Sequence, residues 1–422
     1  MDAFFPPGPQ KHFIAGDAPL FANNPFRALT ESPLQYGELV HFRFGPTHAY
    51  LVNNPREAHY VLVEAPERFT DRPNYLKTLN SAMGHDLFPP KDKLGGRDRI
   101  KAAYDPRWLY DFADQITSAV NLLGWCPDDV VSLPTHLKTM TARMTAQLLF
   151  ERDAAPAGLR EGVPFSQPLA DRRFESPLIP AWLPVGARRG CGRAHSGLKE
   201  AIADLVADRR CGLFERLHYV NPAQAVDEML ILFHAGTELV ANTLAWALHL
   251  LASNPDAEAE LLQEVRSTLG GRLPNAADLD NLPYAEMVIR ETLRLYPPVW
   301  VITRQATREA QVGKYFVPSG SAIFVSPYAL HHNPKQFINP EAFMPERFSA
   351  GYEKRLNRYS YMPFGAGVRA ALEESFVTTV STLLLAGIVG RWRLNSLTPP
   401  LLDIEGGMTL TPTSFTMRVG AR

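Results

Sequence analysis

The sequence predicts one large, mainly helical domain with a smaller β portion. Three observations carry that prediction. The longest periodic stretch, 222–251, is apolar almost all round, which marks a helix buried in the middle of a large protein. Alternating runs at 39–52 and 299–325 read as short strands. No internal repeat, low-complexity tract or linker divides the 422 residues, although about 150 residues per domain would allow two or three units.

The elements follow in order. Residues 39–52 alternate around the Gly45-Pro46 turn and form a hairpin, and Asn54-Pro55 starts a short helix with proline in its first turn. Helical periodicity dominates 97–150, is lost in the Pro-, Gly- and Arg-rich stretch 150–195, and resumes at 199–209. Pro222 opens the central helix and Asn254-Pro255 closes it. Charged helices follow at 256–269 and 282–295, the second stopped by Pro297-Pro298. A meander of Pro, Gly and aromatic residues at 337–367 leads to a last helix at 372–387.

Composition excludes several classes. Hydrophobic residues are 45% and charged residues 21%, ordinary for a folded globule. Lys+Arg is 43 against Asp+Glu 44, so no basic footprint for nucleic acid exists. Cys126, Cys191 and Cys211 lack metal-ligand spacing and are too few for a disulfide scaffold. No metal site is expected. The first fifteen residues hold no signal-type apolar core, and no stretch reaches about 18 apolar residues. A cytoplasmic protein without a membrane anchor is the expectation.

Glu291 and Arg294 stand at i and i+3 on one helix face and can pair. Their surroundings are specific: ETLRLYPPVWVITRQA, then PERF at 345–348, then PFGAGVR at 363–369. Together with the 227–255 helix, this text closely resembles the cytochrome P450 superfamily of haem-thiolate monooxygenases. The match is strong over 222–376, moderate over 35–110 and weak over 150–215. It implies a single cytochrome P450-fold domain over 1–422, with a β-rich portion at about 30–80, a helical core at about 97–300 and a haem-loop region at about 340–376. It also implies a buried structural triad of Glu291, Arg294 and Arg347, and a substrate pocket lined by Trp300 and Ile302.

The sequence departs from that family where the chemistry sits. The resemblance places the iron-ligating cysteine two residues after the loop arginine, Arg369, where this chain has Ala371. A methyl group cannot supply the thiolate that favours O–O cleavage. The glycine two residues further on is Glu373, the oxygen-activating threonine of the central helix is Leu239, and a propionate-contacting aromatic or histidine aligns with Gly95. One substitution would account for Ala371 alone; all four together read as accumulated loss of oxygen chemistry. In the other direction, the resemblance assigns Arg99, Arg304, His331 and Arg369 to the haem propionates. Either an anion still binds there, haem b included, or these cations keep loop shape and local acids such as Glu373 neutralise them.

His234 and Glu238, at i and i+4 on the central helix, are the candidates for acid–base work if the chain is a haem-free enzyme. His331-His332 is not read as a metal pair, because adjacent strand residues face opposite ways. Two functions remain open. The first is a haem-free or haem-poor protein, auxiliary, binding or non-oxidative, acting on a hydrophobic small molecule. It would resemble the cysteine-lacking relatives that activate a partner glycosyltransferase in bacterial secondary metabolism. The second is an oxidoreductase that holds haem b through the cations without a cysteine ligand.

Overall fold

The structure is a computed structural model that describes residues 5–9, 16–70, 106–150, 199–200, 202–204, 222–357, 359–371, 373–397, 404–406, 409–412 and 414–422. Its strands are β1 (Leu39–Phe44), β2 (Thr47–Val52), β3 (Phe69–Thr70), β4 (Val130–Ser132), β5 (Ile302–Ala306), β6 (Ala310–Val312), β7 (Tyr315–Val317), β8 (Ala322–Val325), β9 (Trp392–Ser396), β10 (Ile404–Gly406), β11 (Leu410–Pro412) and β12 (Thr416–Ala421). The main sheet has the order β1-β2-β8-β5-β3. Only its β2–β8 pair is parallel; β1–β2, β8–β5 and β5–β3 are antiparallel. The hairpin expected at 39–52 is β1–β2, with Phe44 opposite Thr47 across the Gly45-Pro46 turn.

Alternation along the strands divides the side chains between two cores. Tyr50 and Val52 of β2 pack with Ile302, Ile323 and Leu62, whereas Ala49 and Leu51 pack with Phe21, Phe42 and Phe324 on the other face. The remainder is helical. Pro222–His234, a π turn at Ala235–Leu239 and Val240–Ser253 form the central helix, buried along nearly its whole length. Helices Leu133–Phe150, Pro283–Leu295 and Glu374–Arg391 pack against Val240–Ser253. This mainly helical, single-domain architecture is the predicted one. Among the described residues no helix is long and apolar enough to cross a membrane.

The central helix is not the uninterrupted helix that its periodicity predicts. At Ala235–Leu239 the backbone widens into a π turn, and two contacts from Leu133–Phe150 explain why. Thr141 Oγ1 lies 3.0 Å from the Thr237 carbonyl oxygen, as near as to the Leu137 carbonyl of its own helix, and so reaches an acceptor of the helix ladder. Gly236 lies so close to Thr145 that an added Cβ would stand 2.5 Å from its Oγ1.

Candidate functional site

The Glu-x-x-Arg helix, Pro283–Leu295, brings Glu291 and Arg294 to one face. Arg294 donates to the Glu291 carboxylate from Nε at 2.8 Å and from a terminal nitrogen at 2.9 Å. Arg347, from the 3-10 turn Pro345–Phe348, adds Nε at 3.2 Å, and the Met344 amide adds a bond of 3.0 Å. The two guanidinium groups reach on to the carbonyls of His331, Ala342 and Asn339. All three side chains are at most 1% exposed. Such a cluster is stable only as a complete set, because each remaining charge would otherwise be buried without a partner.

His331 belongs to this frame. The Met362 amide donates to its Nε2 at 3.0 Å, so that nitrogen carries no proton. Nδ1 therefore carries it and donates to the Arg294 carbonyl at 2.9 Å. Both ring nitrogens are taken by backbone, and burial pushes the pKa well below 6.5. The expectation that His331 contacts an anionic cofactor is corrected accordingly: it is a neutral clamp between the Glu-x-x-Arg helix and the start of the 363–371 loop.

That loop keeps a tight, internally bonded shape. The Gly365 amide bonds the Met362 carbonyl, the Ala370 amide that of Gly367 and the Ala371 amide that of Phe364, at 3.0, 3.1 and 2.9 Å. Gly367 has φ +78°, and an added Cβ would lie 2.1 Å from the Leu62 carbonyl oxygen. A left-handed conformation and a close backbone approach together require glycine here. Gly367→Ala is expected to lower stability by about 1–3 kcal/mol, the range for a non-glycine residue forced into such a region. Unchanged denaturant midpoints would contradict this packing.

Ala371 stands partly buried at the end of the loop, packed against the helical core. Glu373 follows at the N-cap of Glu374–Arg391 with φ −78° and ψ −8°. Its Oε2 is buried and has no hydrogen-bond partner among the described residues. Arg369 ends the 3-10 turn Gly367–Arg369. Arg304, on β5, is buried and donates to the Thr303 carbonyl at 2.8 Å. Gly95 and Arg99 lie outside the described residues.

Trp300, expected at a substrate pocket, sits in an aromatic cluster. It is 1% exposed and packs edge-on to Phe26 at 5.4 Å, within the core that holds Phe21, Phe42 and Phe324. Among the described residues its surroundings are those of an aromatic core. Ile302 lies in the opposite core and points at the loop, where an added Cβ on Gly365 would stand 3.3 Å from its Cδ1. Successive positions leaving the proline pair thus serve different faces of the sheet.

On the central helix, Leu239 is buried and its carbonyl accepts the Thr243 hydroxyl at 2.8 Å. Glu238 pairs with Lys138 Nζ at 3.0 Å and accepts a longer bond of 3.4 Å from Asn242. Asn242 also reaches the hydroxyls of Thr409 and Thr411. Sequence reasoning did not find Lys138, Asn242 or the two threonines, because their partnership spans about 100 and 170 residues of chain. His234 sits one turn before Glu238; burial, only partly offset by the Glu238 charge, lowers its pKa to about 4.

His234 and His331 give the fold a pH dependence. In the unfolded chain a histidine titrates near 6.5, but folded His234 takes its proton only near 4. Between those values the unfolded chain binds more protons, so stability falls as pH drops, by up to ~1.4 kcal/mol per pH unit for each such histidine. Melting temperatures are expected to decline across that window and to decline less steeply in His234→Gln. Parallel curves for the two proteins would contradict a buried neutral His234.

A family model for Cytochrome P450 matches residues 205–418. Cyclooctatin synthase of Streptomyces melanosporofaciens is 32% identical, over 94% of this chain and 92% of the relative. Cyclooctat-9-en-7-ol 5-monooxygenase from the same organism is 29% identical, over 90% and 88%. Pentalenene oxygenase of Streptomyces avermitilis is 25% identical, over 85% and 84%. The crystal structure of a mutant cytochrome P450DA haem domain superimposes with a TM-score of 0.83 at 20% identity, covering 99% of this chain and 98% of that one. The chain belongs to the cytochrome P450 family, and family membership implies haem as the cofactor.

Proposed function

We propose that this chain is a member of the family that has given up thiolate-based oxygen activation and retains the fold to bind a hydrophobic small molecule. One observation carries the reading: Ala371 ends a loop whose glycines, internal hydrogen bonds and flanking ion triad are all kept. The donor set at that loop does not fit an iron porphyrin held through a protein sulfur. Ala371 offers a methyl group, and Pro363 to Glu374 contains no Cys, His, Met or Tyr. No step of oxygen chemistry is therefore assigned to this site.

The relatives suggest the ligand class. Two of them are named for cyclooctat-9-en-7-ol 5-monooxygenation and for pentalenene oxygenation, so an alkene or alkenol of bacterial secondary metabolism is the ligand proposed here. Binding rather than acid–base catalysis is favoured. Glu238 is ion-paired to Lys138, and a histidine with a pKa near 4 is a weak base at neutral pH. An auxiliary role beside a partner enzyme, such as a glycosyltransferase, is compatible with this assignment.

A second reading, haem b held through Arg99, Arg304 and Arg369 without an axial protein ligand, rests on the burial of Arg304 on β5. Titration with cyclooctat-9-en-7-ol and with hemin separates the two. The first reading predicts saturable binding of the alkenol to colourless protein. Stoichiometric hemin uptake with no alkenol binding would favour the second.

A further inference from the structure

A groove of about 980 Å³ lies between the end of helix Pro25–Tyr36, the helix Pro55–His59 with the π turn Tyr60–Glu64 that continues it, and the tip of the β6–β7 hairpin. None of its lining residues belongs to the 363–373 loop, the central helix or the ion triad. Its size suits a small organic ligand. Its acids are not equivalent. Glu38 takes Lys335 Nζ at 2.8 Å and Asn54 Nδ2 at 2.7 Å, and these bonds hold its carboxyl below the usual range. Glu64 Oε1 lies 2.8 Å from His59 Nδ1.

Glu57 differs from both. Its Oε2 is buried without a hydrogen-bond partner, and no ion pair reaches it among the described residues. The hairpin tip confines it: a Cβ on Gly313 would lie 3.4 Å from Glu57 Oε1. Arg56 and Lys314 line the same groove, are exposed, and have no carboxylate partner among the described residues. Tyr36, Tyr60 and Tyr315 complete the walls. One unsatisfied anion, two cations without a carboxylate partner and three phenol rings thus share a single concavity, with Lys314 Nζ 5.2 Å from the centre of the Tyr315 ring. A shielded carboxylate is costly until a cation meets it, and tyrosine faces attract ammonium groups.

We propose that this groove is a second ligand site, for a zwitterionic small molecule whose ammonium group pairs with Glu57 and whose carboxylate or phosphate pairs with Arg56 and Lys314. The faces of Tyr36, Tyr60 and Tyr315 cover its apolar atoms. The site stands apart from the haem-loop reading and does not depend on it.

Ligand-observed NMR on the full chain tests the assignment with two zwitterions, glycine betaine and phenylalanylglycine, and two half-ligands, tetramethylammonium and acetate. Each zwitterion is expected to bind at least about tenfold more tightly than either half-ligand, a gap of ~1.4 kcal/mol. Glu57→Gln should weaken the zwitterions and tetramethylammonium about tenfold and leave acetate unchanged; Arg56→Ala with Lys314→Ala should do the converse. Melting curves of the variants, expected to match the parent, show that the fold is intact. Acetate binding as tightly as the zwitterions, indifference to Glu57→Gln, or no binding of either zwitterion would overturn the proposal.

Discussion

Arg294→Ala is expected to give little or no soluble folded protein. The substitution removes two hydrogen bonds to Glu291 and the bonds to the His331 and Ala342 carbonyls, all made by a fully buried side chain. Arg347 and the Met344 amide would remain on Glu291, but a longer bond and a neutral donor do not replace a two-pronged guanidinium. Breaking one partner of a buried ion cluster costs about 3–5 kcal/mol, a large share of the 5–15 kcal/mol by which a domain is stable. The damage would spread, because the lost guanidinium also holds the His331 carbonyl, and the His331 ring holds Met362 at the root of the loop. Arg294→Lys should rescue only in part, since an ammonium cannot reproduce the fork. Parent-like soluble yield and melting in Arg294→Ala would show that the triad is not what fixes this corner of the fold.

The second large effect concerns Ala371→Cys. Restoring sulfur alone is expected not to restore thiolate-ligated haem. Two residues on, the Glu373 carboxylate has an oxygen buried without a hydrogen-bond partner among the described residues, and a neighbouring anion raises a thiol's pKa and disfavours the thiolate. The double variant Ala371→Cys/Glu373→Gly removes that anion. It should retain haem at least about tenfold better than the single variant, equivalent to ~1.4 kcal/mol, as read by iron content and the carbon monoxide difference spectrum. A single Ala371→Cys variant with a full thiolate-type difference band would refute this account of accumulated loss.

Much of the fold was legible because it is written locally. Alternation around Gly45-Pro46 is enough to place β1 and β2, and Pro55 and Pro222 open helices where proline suits a first turn. The arrangement of Glu291, Arg294 and Arg347 was available only through family resemblance, since the PERF arginine lies 56 residues from the glutamate. What stayed hidden depends on tertiary partners. The π turn arises from Thr141 and Thr145 on a neighbouring helix. Glu238 has the spacing of a catalytic acid, yet it is held by Lys138, a residue with no sequence signal linking the two. His331 and Trp300 carried the right residue types for a cofactor and a substrate wall. Backbone bonds claim the one and the aromatic core claims the other.

The most direct test of the central claim is the iron content and absorption spectrum of the unaltered chain, purified after expression with ample haem supply. The account predicts folded protein with far less than stoichiometric iron and no thiolate-type carbon monoxide band. Stoichiometric haem whose iron carries a protein atom in its fifth position would contradict it.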